Sequence, residues 1–296
     1  MCHDIIIIGG SYAGMAAALQ LLRARRTILV VDAGERRNRF SSHSHGFLGQ
    51  DGSDAGDIVR KARRQLEQYP TLTWIDGTAT QAEGEKDAFC ITLADGGRHE
   101  GRRVLFATGV SDELPEIDGL SDRWGKSIYH CPYCHGYELD RGPVGVIATG
   151  PMSTHQAELL TDWGAVTLFL NDTPTLDDKT RANLSDRNVT IEETPIAQLI
   201  DHAGVALSDG RRLSFAGLFV ATRTNPASSL AAALGCDITA TPMGTQITTS
   251  ESKETSIPGA FACGDVARAP HSVSLAVADG AWAGAQIHRS LVWPDS

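Results

Sequence analysis

Residues 4–35 read DIIIIGGSYAGMAAALQLLRARRTILVVDAGE. The four isoleucines Ile5 to Ile8 form a short, unbroken apolar run, which suits a parallel strand buried on both faces. A small-residue turn follows, then an Ala/Leu-rich helical stretch, then a second apolar strand from Ile28 to Val31 that ends on Asp32. This is a βαβ unit. Set against G-x-G-x-x-G, the turn reads Gly9, Ser11 and Gly14: Gly9 permits the tight turn, Ser11 takes the place of close approach to a pyrophosphate, and Gly14 lets helix and strand pack. One glycine of the three is replaced, but serine is small enough to keep the backbone near a phosphate. Asp32 stands at the strand end, where a carboxylate accepts ribose hydroxyls.

The pattern recurs. VGVIATGPMSTHQAELLTDWGAVTLFLND contains a strand from Val144 to Ala148, a turn, an amphipathic helix and a strand from Val166 to Leu170, with Val144 about 139 positions after Ile5. This copy is eroded, because its triplet reads Ala148, Gly150 and Ser153 with Pro151 inside it. A dinucleotide carrying a 2'-phosphate needs Arg or Lys after the second strand. Here that place holds Asn171-Asp172 and then the acidic Asp177-Asp178. NADPH is therefore disfavoured, NADH is not, and a domain that has lost its nucleotide is an equal reading. Near the C-terminus TSIPGAFACGDVAR closes an apolar strand on Gly264-Asp265, with a helical small-residue stretch behind it.

The order of these segments predicts an α/β fold of two Rossmann-like nucleotide-binding domains, each of three layers (ββα), with the second inserted into the first. The expected discontinuous domain is 1–112 plus 245–296, and the expected insert is 113–244; both junctions carry Pro and Gly. Thr71 to Val110 reads as short strands with a turn at Asp95 to Gly97. A chain of 296 residues, 42% hydrophobic and 21% charged, has the composition of a globular protein. Its net charge of -10 disfavours nucleic acid or an anionic membrane surface as partner. No export-type leader or membrane-length apolar run is read, and a cytoplasmic location is expected.

Residues 130–138, HCPYCHGYE, carry the chemistry. Cys131 and Cys134 fit a redox pair, and the same letters spell a haem-attachment sequence and half of a zinc site. Haem attachment belongs to exported proteins, and zinc lacks a second ligand pair, so no metal is expected. The other four cysteines, Cys2, Cys90, Cys236 and Cys263, occur singly and read as inert thiols.

IIGGSYAG with Asp32, FATG at 106–109, the C-x-x-C in the inserted domain and TSIPGAFACGDVA together resemble the low-molecular-weight thioredoxin reductase family of flavoproteins, over essentially the whole chain. CPYCHG resembles most the FAD-dependent dithiol oxidases that close the disulfides of gliotoxin, holomycin and romidepsin. The resemblance implies FAD held by Gly9, Gly10, Ser11, Tyr12, Ala13, Gly14, Asp32, Ala33, Arg39, His45, Ala79, Thr108, Gly109, Gly264, Asp265, Val273 and Ser274. Arg39 falls where the family has a glutamine. It also implies that Cys131 meets the substrate and Cys134 the flavin, with His135 as general acid and base where the reductases have an acid. The reductases' H-R-R and R-Q-A stretches are here Leu170-Asn171-Asp172 and Ser272-Val273-Ser274.

The implied partners are a small dithiol or disulfide, or a thioredoxin-like protein, and a second copy of the chain as a homodimer. Two directions of electron flow stay open, from dithiol to oxygen or from a nicotinamide nucleotide to a disulfide, as does a flavin redox sensor without turnover. His43, His45 and His271 read equally as flavin or proton-transfer contacts and as solvated loop residues. Trp282 and Trp293 read as core or interface aromatics.

Overall fold

The computed structural model describes residues 2–171, 173 and 176–294, which fall into two compact units. Asp172, part of the acidic stretch noted above, lies outside the described residues. The first unit comprises 1–39, 47–111 and 224–296, and the second comprises 40–46 and 112–223.

In the first unit a parallel sheet runs in the order Leu72–Asp76, Ile28–Asp32, Cys2–Ile8, Arg98–Phe106, with Ala260–Ala262 pairing beside the last. Alternation along buried strands sends neighbouring side chains to opposite faces. Ile5, Ile7, Ile28, Val30, Leu105 and Phe261 pack against the helices Tyr12–Arg23 and Val273–Val292. Ile6, Ile8, Leu29, Val31, Val104 and Phe106 pack on the other side, against Phe89, Ile91 and Leu93 of the antiparallel strands Ala79–Glu83 and Phe89–Leu93. Both faces are covered, which is why the isoleucine run has no polar alternation.

The two helices can lie close because Gly280 faces the Ala13 carbonyl; a Cβ there would stand 2.1 Å from that oxygen. Arg103 is fully buried, yet its guanidinium is satisfied by Asp87, Ser290 Oγ and the Ser290 carbonyl, so it ties the last helix to the sheet.

The second unit repeats the plan. Its parallel sheet runs Ile128–Tyr129, Gly217–Val220, Val144–Ile147, Val166–Phe169, Thr190–Glu192. One face packs on Ala157, Leu160 and Leu184 of two helices, and the other on Leu199, Val205 and Leu207 of the antiparallel strands Ile196–Ile200 and Gly204–Leu207.

The chain passes between the units through the strands Val110–Glu113 and Arg223–Pro226. The second crossing therefore falls some twenty residues earlier than the expected junction at 244–245. Leu230, Ala231, Cys236 and Ile247 bury themselves among the antiparallel strands of the first unit, and this apolar packing draws 224–244 into it. The segment 40–46 departs from expectation in the opposite sense, since it joins the second unit. Among the described residues no helix is long and apolar enough to cross a membrane.

Candidate functional site

In the first unit the loops at the carboxyl ends of the parallel strands converge, as ligand-binding loops of open α/β sheets do. Gly9 has φ +105°, and a Cβ on it would lie 2.3 Å from the Ala107 carbonyl oxygen. A Cβ on Gly14 would lie 1.9 Å from the Gly9 oxygen. Gly9 and Gly14 are thus required by close backbone approach, as the motif predicts. Ser11 is the N-cap of Tyr12–Arg23, but its side chain makes no capping hydrogen bond, and no acidic residue occupies the helix's first turn. The positive end of the helix is left open to an anion.

Asp32 Oδ1 accepts from the N–H groups of Gly10 and Gly34, each at 3.2 Å. Its Oδ2 has no protein partner among the described residues. That oxygen is directed by the turn and available to hydroxyl donors. Tyr12 takes a hydrogen bond from Asn38 Nδ2 at 3.1 Å, Ala13 is buried in the core, and Ala33 is exposed just past the strand.

Thr108 and Gly109 follow Phe106, with Gly109 at φ +68° and nothing within 4 Å of its Cβ position. The Gly264 N–H donates to Asp279 Oδ2 at 2.8 Å, and Asp279 Oδ1 pairs with Lys253 Nζ at 3.0 Å. Lys253 is only 8% exposed, so this ion pair sits inside the protein and holds the Gly264-Asp265 turn against the last helix. Asp265 in turn lies 3.6 Å from Arg37 Nη1, which also reaches His271 Nδ1 at 2.9 Å.

Arg39 donates to the Arg36 carbonyl at 2.8 Å and is exposed. Ala79 opens an antiparallel strand opposite Leu93, and Val273 and Ser274 begin the last helix after its cap Ser272. His45 lies in 40–46 and so groups with the second unit. The sequence reading passed over Arg36, Arg37, Asn38 and Arg268. The signal was the basic run ERRNR directly behind Asp32.

FAD fits this first-unit cradle. Arg36 Nε, Asn38 Oδ1 and Arg268 Nε are buried without a hydrogen-bond partner, a cost that a polar ligand would relieve. The open helix end and Asp32 Oδ2 supply the donors and acceptor that a pyrophosphate and a ribose need.

The corresponding turn of the second unit is closed. Its Thr149 N–H donates to the Oγ of the fully buried Ser153 at 2.9 Å, Pro151 has no N–H, and the Ser153 N–H donates to the Gly150 carbonyl. Asn171 Oδ1 accepts from the Ile196 N–H at 3.0 Å. Asp177 is spent as the N-cap of Asp178–Asp186, its carboxyl held below the usual range by the Thr180 N–H. Arg211 is clasped by Glu192 at 2.8 Å and Asp209 at 2.6 Å, and that pairing pulls the Glu192 carboxyl down to about 2.

The cysteine motif stands in the second unit, with Cys131 just after the strand Ile128–Tyr129 and Cys134 inside the helical turn Pro132–His135. Cys131 is extended, at φ -108° and ψ 112°, and Pro132 starts the turn with its fixed φ and missing N–H. The Cys131 and Cys134 sulfurs approach to 2.7 Å. Gln156 Nε2 donates to the His130 carbonyl at 2.8 Å, anchoring the segment to the helix Met152–Leu160. Gly136 is needed where the backbone meets Trp163, whose Cδ1 would lie 2.6 Å from a Cβ. Tyr133 packs edge-on to Trp163 but stays 70% exposed, and Tyr137 is 85% exposed.

His135 is held on several sides. Its ring stacks on Tyr129 at 4.1 Å, Nε2 lies 3.3 Å from Ser41 Oγ, and Nδ1 is buried, with the Cys131 backbone interacting with the ring. His45 Nδ1 lies 3.4 Å from Glu138 Oε1, one turn beyond. Burial pushes the His135 imidazole down to about 4, with Glu138 opposing and His45 reinforcing that direction. At neutral pH the ring is uncharged and able to take a proton.

A stability consequence follows from the sign of this shift. Between about pH 6.5 and 4 the unfolded chain binds a proton at His135 that the folded chain refuses. The stabilisation is complete above about pH 6.5 and disappears as the pH falls through that window. Denaturant midpoints at pH 7.5 and 4.5 should therefore fall further for the wild type than for His135→Gln. Equal falls would refute the buried neutral histidine.

Among the described residues no group of three His, Cys, Asp or Glu side chains gathers as for a metal ion. The family model for pyridine nucleotide-disulphide oxidoreductases matches residues 3–280. The thioredoxin reductase aclD of Aspergillus oryzae is 33% identical over 308 aligned residues, covering 99% of this chain and 97% of the relative. An oxidoreductase from Agrobacterium tumefaciens has a crystal structure that superposes at TM-score 0.98, with 52% identity over 100% of both chains. The crystal structure of HlmI superposes at 0.91, with 37% identity over 98% of this chain and 93% of that one.

Proposed function

The chain belongs to the pyridine nucleotide-disulphide oxidoreductase family, and on that premise we propose that it is an FAD-dependent oxidase that converts a dithiol to a disulfide through Cys131 and Cys134. The observation that carries the direction is the closed second turn. A pyrophosphate needs free backbone N–H groups, and here one is taken by Ser153, one is absent at Pro151 and one is spent on Gly150. This loss of donors favours thiols as the source of electrons.

The first step is attack of a substrate thiolate on the Cys131 sulfur of the oxidised pair. The Cys131–Cys134 bond breaks, a mixed disulfide forms at Cys131, and Cys134 leaves as thiolate. The second substrate thiol then attacks the substrate sulfur of that mixed disulfide, releasing the cyclic product and reduced Cys131. Two protons are shed by the substrate. Neutral His135 takes one of them and returns it to a departing sulfur, which its depressed basicity allows at pH 7. The exposed rings of Tyr133 and Tyr137 flank the motif and offer apolar contact to a small substrate. When bound in the cradle of Gly9, Ser11, Gly14, Asp32, Gly264 and Asp265, FAD supplies a two-electron acceptor with a route to oxygen, so that one dithiol and one O2 give one disulfide and one hydrogen peroxide.

A second reading, reduction of a thioredoxin-like disulfide by a nicotinamide nucleotide, draws on the name of the Aspergillus relative. Oxygen uptake separates the two. Dithiothreitol should drive uptake of one O2 per dithiol, and NADPH or NADH should drive none. Rapid NADPH consumption with a thioredoxin and no dithiol-driven uptake would overturn the proposal.

A further inference from the structure

Neither the dinucleotide motif nor the backbone calls for glycine at position 10. Gly10 occupies an x of G-x-G-x-x-G, and its φ lies outside the left-handed region that singles out Gly9. What excludes a side chain there is space. A Cβ on Gly10 would lie 2.5 Å from Trp74 Cζ2, 2.6 Å from Trp74 Cη2 and 2.8 Å from Asp32 Cβ. The outer edge of the indole thus rests against the turn, beside the residue that accepts the ribose.

Trp74 reaches this place through its strand and is kept there by two side chains. Leu72–Asp76 is the edge strand of the sheet, and its register pairs Trp74 with Val30 and Asp76 with Asp32, so all four side chains share one face. The indole Nε1–H donates to Asp76 Oδ1 at 3.0 Å. Arg63, from the helix Ala55–Leu66, grips Asp76 with two bonds, at 2.7 and 3.1 Å, and lays its guanidinium over the indole at 4.6 Å. A half-buried tryptophan that only covered the sheet edge would need neither this clamp nor a glycine opposite it.

We propose that Trp74 is a positioning residue for the adenosine ribose of FAD: its indole sets the Gly10 turn against Asp32, so that one carboxylate oxygen is committed to the backbone and the other is kept for ribose hydroxyls. The Gly10 N–H donates to Asp32 Oδ1 at 3.2 Å, and the Gly34 N–H donates to the same oxygen. Two donors on Oδ1 fix the plane of the carboxylate and leave Oδ2 to accept. Without the outer edge of the indole, the turn can shift into the space it vacates, and the Gly10 N–H loses its line to Oδ1. The carboxylate then turns more freely, and its preference for a hydroxylated ribose falls.

This inference rests on the cradle holding FAD and is independent of the direction of electron flow. In the full-length protein stripped of FAD, ADP and 2'-deoxy-ADP serve as competitors of FAD rebinding, followed by flavin fluorescence. With the wild type, ADP should compete about tenfold better than its deoxy counterpart, the loss expected for a hydrogen bond to a charged group. Trp74→Phe keeps an aromatic cover on the strand but lacks the edge that meets Gly10, and it should narrow that ratio to about twofold. Asp32→Asn should remove most of the discrimination, and adding Trp74→Phe to it should change the ratio no further. A merely structural role would weaken both nucleotides alike and leave the ratio where it was. A wild-type ratio in Trp74→Phe, or no discrimination by a wild type that binds FAD, would overturn the inference. Failure of the wild type to bind FAD would overturn the cradle along with it.

Discussion

Cys134→Ser is expected to lower dithiol oxidation by roughly a thousandfold or more while leaving the protein yellow. Serine keeps the volume and the turn Pro132–His135 but carries no sulfur, so no disulfide forms at Cys131 for a substrate thiol to attack. Every residue assigned to the FAD cradle in the first unit is untouched, so cofactor content should match wild type. Cys131→Ser should be equally inactive, because each sulfur is needed to close the pair. Cys90→Ser and Cys236→Ser serve as controls and should retain activity: Cys90 lies within the strand Phe89–Leu93, and burial raises the Cys236 thiol above its ordinary value. Full turnover in either motif variant would show that the flavin meets its substrate directly.

The second large effect is structural. Gly9→Ala should destabilise the first unit by about 3 kcal/mol or more and cost it its FAD. Two penalties coincide there, a left-handed φ of +105° and a Cβ only 2.3 Å from the Ala107 carbonyl oxygen. That oxygen belongs to backbone between Phe106 and Thr108 and has nowhere to go without dragging the central strand. Gly34→Ala makes the comparison. It shares the left-handed conformation, at φ +75°, but nothing lies within 4 Å of its Cβ position, so only the conformational penalty of about 1 kcal/mol applies. Thermal midpoints and retained flavin absorbance measure both. Equal effects at the two positions would mean that backbone approach at Gly9 is not what the glycine serves.

What could be read from the chain was what depends on neighbours in sequence. The unbroken Ile5–Ile8 run declared a strand covered on both faces, and Gly9, Gly14 and Asp32 declared the turn, because local sterics dictate those residue types. The eroded second copy was legible for the same reason. What Ser153 does there was not, since a serine in a helix gives no sign that its hydroxyl folds back to close the turn. Long-range pairing was equally hidden. Nothing in SSHSHG indicates Ser41 beside His135 or His45 beside Glu138, and nothing in ERRNR points Arg37 at Asp265, 228 positions on. The earlier crossing at 223–224 has a similar origin: Leu230, Ala231 and Cys236 read as a plausible continuation of the insert, and only their burial among Phe89 and Ile91 groups them with the first unit.

The central claim is that electrons reach the flavin from thiols through Cys131 and Cys134 and not from a nicotinamide nucleotide. Anaerobic mixing of the FAD-loaded protein with dithiothreitol and, in parallel, with NADPH and NADH, followed by the visible flavin absorbance, tests it most directly. Bleaching by the dithiol, lost in Cys134→Ser, is expected, together with an oxidised spectrum that persists with either nucleotide. Prompt bleaching by NADPH or NADH, with none by the dithiol, would contradict it.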